Sequence, residues 1–85
     1  MSSVPLPVTT GKELKQFLLR IGYDLIRIDG SHHHFKKIDG TGYKITVPIH
    51  GNSEIKPKTL NNIIFYIAKN ENLTVEDVRR LLSNF

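Results

Sequence analysis

YDLIRIDGSHHHFKKIDGTGYKITV, residues 23–47, contains three short runs rich in β-branched and aromatic side chains, separated by Asp29-Gly30-Ser31 and Asp39-Gly40-Thr41-Gly42. Aspartate and glycine tolerate the left-handed backbone that tight reversals require, so the segment predicts a three-stranded antiparallel meander. In the third run Tyr43, Ile45 and Val47 alternate with Lys44 and Thr46, which gives the sheet one apolar face and one polar face. In the second run Phe35 takes the inner face, and His32, His34 and Lys36 then point outward. The first run, with Leu25, Ile26 and Ile28, does not settle its own phase.

Upstream, Leu14, Phe17, Leu18 and Ile21 recur at the spacing of a one-faced helix over residues 10–21. Thr10 and Glu13 form a capping-box pattern at its start, and Gly22 supplies a left-handed stop. Downstream, Pro48 ends the sheet and Gly51, Asn52 and Ser53 make a loop. A second helix follows, with Pro57 in its first turn and Leu60, Ile63, Ile64 and Ile67 on its inner stripe. A last short helix begins at Thr74, capped with Asp77 and flanked by the staple positions Leu73 and Val78; Val78, Leu81 and Leu82 are expected to seal the core.

The expected class is α+β: helix, three-stranded antiparallel sheet, helix, and a short C-terminal helix. Both long helices can lay their apolar stripes on the one apolar sheet face, leaving the other face solvated. That layout is the one of a double-stranded-RNA-binding-domain-like fold. At 85 residues the chain makes one domain, residues 1–85, and leaves no room for a separate catalytic unit. The absence of cysteine excludes disulfides and thiolate metal sites. No apolar run approaches the roughly 20 residues that span a bilayer, and residues 1–10 lack the pattern of a signal peptide, so a cytoplasmic protein without membrane contact is expected. Twelve Lys and Arg against eight Asp and Glu leave a net charge of +4, which permits nucleic acid as a partner without requiring it.

The run Gly30-Ser31-His32-His33-His34-Phe35 places three imidazoles at the start of a strand. Histidine titrates near neutrality, and RNA cleavage by its own 2′-hydroxyl needs only proton transfer and stabilisation of a charged phosphorane. On composition and spacing alone the three histidines read rather as ordinary solvated or partly packed strand residues, the commoner case. A metal site is disfavoured, because His32 and His34 share one strand face with no accompanying carboxylate pair. Lys56-Pro57-Lys58 opens the second long helix, where free backbone N–H groups and two ammonium groups suit a phosphate; well-hydrated surface lysines are the alternative. Lys36, Lys37 and Lys44 extend the positive surface if they lie near His32, and Arg27 and His50 are further candidates for contact with a phosphate.

Together these residues resemble the HicA toxin family. The likeness runs through Gly11-Lys12-Glu13-Leu14, Gly22-Tyr23, Gly30-Ser31-His32 with Phe35, Ile45-Thr46-Val47-Pro48 with His50, then Glu54, Ile55, Lys56, Thr59, Leu60 and Ile63, and the final Leu73-Thr74-Val75-Glu76. The resemblance implies an mRNA interferase toxin, an endoribonuclease that needs no cofactor, uses His32 as its catalytic histidine and is neutralised by a HicB antitoxin. Arg27, Lys36, Lys37, Lys44, His50, Lys56 and Lys58 are the expected RNA-binding residues. Two departures from the family's pattern stand out: Asn61 and Phe65 occupy positions where family members often carry basic residues, and Asp29, which repels phosphate, stands where they usually carry a polar or basic one. A non-catalytic RNA-binding module and a docking domain for an acidic protein are the alternative functions.

Overall fold

The structure, a computed structural model, describes residues 4–85. Its elements follow the order α1 (Gly11–Arg20), β1 (Tyr23–Asp29), β2 (His32–Lys37), β3 (Ile45–Pro48), α2 (Pro57–Glu71) and α3 (Val75–Ser83). The strands form one antiparallel sheet in the order β1-β2-β3, so β3 lies at an edge beside α2. This is the α+β arrangement expected from the sequence.

The helix ends are set by local chemistry. Thr10 and Glu13 form a reciprocal capping box on α1, and Thr74 and Asp77 do the same on α3. Asn72 ends α2 in the left-handed conformation, which asparagine tolerates better than most residues. The N-terminus of α2 differs: its cap is Lys56, which makes no side-chain capping bond, and its first turn holds no acid.

Leu14, Phe17 and Leu18 of α1, Tyr23, Phe35, Ile45 and Val47 of the sheet, and Leu60, Ile63, Ile64 and Ile67 of α2 pack into one core. Val78 and Leu82 close it from α3, while Leu81 is 50% exposed and does not contribute. The inner row of α3 runs through residues 75, 78 and 82, which turns residue 81 to solvent.

At the sheet one further expectation is corrected and one open question is resolved. Tyr43 is neither in β3 nor buried, because Asn70 captures its backbone: the Tyr43 N–H donates to Asn70 Oδ1 at 2.6 Å, and Asn70 Nδ2 donates to the Tyr43 carbonyl at 2.9 Å. Residue 42 must be glycine for the same reason, since it has φ +81° and a Cβ there would lie 2.5 Å from Asn70 Oδ1. The phase left open in β1 is set by a bulge. Tyr23 and Leu25 pair with Lys37 and Phe35, the register slips at Ile26, and Arg27, Ile28 and Asp29 pair with His34, His33 and His32. One extra residue thus moves Arg27 and Asp29 onto the polar face with His34 and His32.

Candidate functional site

The three adjacent histidines occupy three different environments. His34 is held at both ring nitrogens: Nδ1 lies 2.8 Å from Thr46 Oγ1, and Nε2 lies 3.1 Å from Asp29 Oδ2. An ionised carboxylate can only accept, so Nε2 carries the proton and donates to Asp29; in the neutral ring Nδ1 then accepts from the Thr46 hydroxyl. His33 follows Phe35 on the inner face, and its Nδ1 donates to the Ser31 carbonyl at 3.2 Å. His32 is exposed and, among the described residues, its ring has no hydrogen-bond partner.

Asp29 stands opposite His32 in the ladder, yet its charge is already engaged. Arg27 Nε donates to it at 3.1 Å, and His34 donates from the neighbouring position. Partial desolvation pushes the Asp29 carboxyl up, but the hydrogen bond and charge of Arg27, and then those of His34, outweigh it and hold the group below the usual carboxylate range. The carboxylate is therefore neutralised locally and does not present a bare negative charge beside His32. Arg27 keeps its remaining guanidinium donors toward solvent, with 71% of its side chain exposed.

On its other side His32 pairs with Pro48, whose side chain shares that face of the sheet. Pro48 also lines a pocket of about 330 Å³ together with His50, Ser53, Glu54, Lys56 and Thr59. The loop that forms this pocket is fixed from the N-terminal side. Thr10 bridges Glu54, the Ile55 N–H donates to the Thr9 carbonyl at 2.8 Å, and Lys12 Nζ donates to Asn52 Oδ1 at 3.2 Å. Gly11 lets α1 approach directly: a Cβ there would lie 2.7 Å from the Pro48 carbonyl oxygen and 2.9 Å from an Ile49 side-chain carbon. The result is an exposed imidazole, a second histidine, and an uncapped helix N-terminus carrying Lys56 and Lys58, gathered at one end of the sheet.

The remaining expected residues are distributed differently. Lys44 lines a depression between β3 and α2 with Thr46, Asn62 and Tyr66. Lys36 lies toward the opposite end of β2, where its ammonium donates to the Gly42 carbonyl at 2.7 Å. Lys37 is on the inner side, in an ion pair with Glu71 at 3.4 Å, so neither lysine joins His32. Asn61 accepts from Arg79 at 2.7 Å and ties α2 to α3. Asp29 escaped sequence reasoning as a partner of His34, since its place on the polar face depends on the bulge at Ile26, and Thr46 escaped it because pairing it with His34 requires the β2–β3 register.

No helix among the described residues is long and apolar enough to cross a membrane. The search of curated proteins found no match to the chain. The family model for the HicA toxin of bacterial toxin–antitoxin systems matches residues 11–69, from the first residue of α1 through the whole sheet and nearly all of α2. Every element that builds the end of the sheet around His32 lies within that span, and the chain belongs to the HicA toxin family.

Proposed function

We propose that this toxin is an endoribonuclease that cleaves mRNA through His32 and is neutralised by a HicB-like antitoxin. The observation that carries the reading is the division of labour on β2: His33 and His34 have ring nitrogens committed to the protein, and His32 alone of the three is exposed with its ring unengaged among the described residues. A proton-transfer group must reach the substrate with a ring nitrogen available, and His32 meets that condition.

In the proposed reaction the 2′-hydroxyl of the substrate loses its proton and forms a bond to the adjacent phosphorus. The bond from phosphorus to the 5′-oxygen breaks, and that oxygen receives a proton. His32 takes part in the proton transfer. Arg27, His50, Lys56, Lys58 and the free N–H groups in the first turn of α2 hold the phosphates and offset the charge that builds on the phosphorane. Thr46 helps to hold this face of the sheet in place through its hydrogen bond with His34.

Purified protein incubated with an mRNA transcript is expected to produce discrete fragments, and a strand with a 2′-deoxynucleotide at the mapped cut is expected to stay whole. A HicB-like antitoxin, encoded beside the toxin, suppresses both fragmentation and growth arrest in this account. Salt-dependent RNA binding with no fragmentation under any condition would instead establish the binding-module alternative.

A further inference from the structure

The candidate site does not end at the pocket beside Pro48. A chain of shallow depressions leaves it along α2, and at Ile45 and Thr46 it runs in the seam between that helix and the edge strand β3. Thr59 lines both the first pocket and the next, Asn62 lines the next two, and the third reaches Tyr66. Tyr66 in turn packs against two more exposed rings, with centroids 5.2 Å from Tyr43 and 5.3 Å from Phe65. Those two rings line a final open depression of about 520 Å³ with Lys69, whose Nζ sits 5.3 Å from the Phe65 centroid.

The spacing follows from the helix. Thr59, Asn62, Tyr66 and Lys69 recur at intervals of three and four, so they form one row on α2, and at ~1.5 Å rise per residue that row is about 15 Å long. The charged residues along the depressions are Lys44, Lys56, Lys58 and Lys69, against the single acid Glu54. Tyr43 is 54% exposed and Phe65 43%, and through Tyr66 the two rings form one contiguous aromatic patch rather than scattered apolar residues.

We propose that this seam is the path of a single-stranded RNA, held at its phosphates by the lysines and stacked at its far end on Tyr43 and Phe65. The inference rests on the nuclease reading for the identity of the substrate, and it adds a substrate class: unpaired RNA several nucleotides long. A cationic groove with exposed rings is complementary to a strand whose charge lies on one edge and whose bases offer flat apolar faces. In a duplex those faces are stacked inside, which makes the platform selective for unpaired segments. Tyr66, half-buried against the core, supports the two outer rings rather than meeting the base itself.

The test uses the full chain carrying His32→Ala, so that RNA stays intact. It compares a single-stranded oligonucleotide with a strand of equal length and charge in which the bases are removed. Tyr43→Leu with Phe65→Leu keeps the apolar bulk and the helix propensity of α2 but removes both stacking rings, and circular dichroism checks the fold. The account expects the double variant to bind the base-bearing strand roughly 5- to 150-fold more weakly and the abasic strand as before, with Tyr43→Trp restoring affinity. Equal affinities for the base-bearing strand before and after substitution, or equal losses on both strands, would overturn it. Unchanged RNA binding with loss of neutralisation by the antitoxin would show the rings to be a protein-docking surface and would likewise overturn it. Failure of the unsubstituted protein to cleave RNA would count against the nuclease reading and leave this binding comparison decisive on its own.

Discussion

The Asp29 carboxylate lies 3.1 Å from His34 Nε2 and also accepts from Arg27, so a residue adjacent to the Gly-Ser-His turn is bound into the sheet's polar face rather than left facing a substrate phosphate. His34, on the central strand β2, thereby acts as a brace to both neighbours, to β1 through Asp29 and to β3 through Thr46. His34→Asn is expected to leave the fold intact and to lower RNA cleavage by about ten- to a hundredfold through loosened placement of His32. The pH profile of the remaining activity should keep its shape. Steady-state cleavage by the two proteins across a pH series checks this, and a changed profile would mean that His34 itself transfers a proton.

Three carboxylates sit below their usual range, which sets the direction of acid sensitivity. In Asp39 the side-chain hydrogen bond from Thr41 leads, in Asp77 the backbone hydrogen bond from Thr74 leads, and in Asp29 desolvation is the largest single influence but is outweighed by the hydrogen bonds and charges of Arg27 and His34 together. A carboxyl with a lowered folded value contributes stability that is complete above the ordinary unfolded value of about 3.9 and is lost as pH falls through the folded value. Thermal unfolding should therefore show a falling melting temperature below about pH 4. Asp77→Asn preserves an acceptor for the Thr74 N–H and should flatten part of that limb; an unchanged slope would remove Asp77 from the explanation.

Tyr23 predicts the opposite limb. Its hydroxyl donates to Glu71 at 2.8 Å and accepts from Asn70 at 3.1 Å, while burial first, with Glu71 adding to it, pushes the phenol well above the ordinary tyrosine value. A raised folded value means that this contribution is complete below the unfolded value near 10 and is lost as pH rises above it. Ultraviolet titration should show a late phenolate component that is missing in Tyr23→Phe. That variant should also lose about 1–2 kcal/mol in urea denaturation, the usual consequence of deleting a hydroxyl that joins two partly buried partners.

Gly11→Ala tests how α1 positions the loop after β3. The added methyl meets the backbone of Pro48 and Ile49 and the Ile49 Cγ1 close to that backbone, so relieving the strain requires the chain itself to shift. A loss of about 1–3 kcal/mol is expected from denaturant curves, with cleavage activity falling further than stability because His50 and Lys56 move with the loop. Equal stability would mean that α1 and β3 can separate without consequence.

Much of this architecture was legible in the sequence because it depends on periodicity and end chemistry, which are local. The stripe Leu14, Phe17, Leu18, the capping pairs Thr10 with Glu13 and Thr74 with Asp77, and the inward phase of Phe35 all follow from spacing alone. The exceptions depend on long-range contacts. Nothing local signals that Asn70 will take the backbone of Tyr43 out of the sheet, since the two residues meet only when α2 returns across it. The bulge at Ile26 is equally silent in a run of Leu25, Ile26 and Ile28, and without it Arg27 and Asp29 would be assigned to the wrong face. Of the candidate site, the turn with His32 and the lysines at the start of α2 could be read directly. The engagement of His34 and the seam leading to Tyr43 and Phe65 required the fold.

The most direct test of the central claim is inducible expression of the wild-type toxin and of His32→Ala in the same host, following growth and the integrity of total mRNA by primer extension, with soluble protein verified in both. The account predicts arrest and fragmented mRNA in the wild type, and normal growth with intact mRNA in His32→Ala. Arrest and fragmentation that persist unchanged in His32→Ala would contradict it.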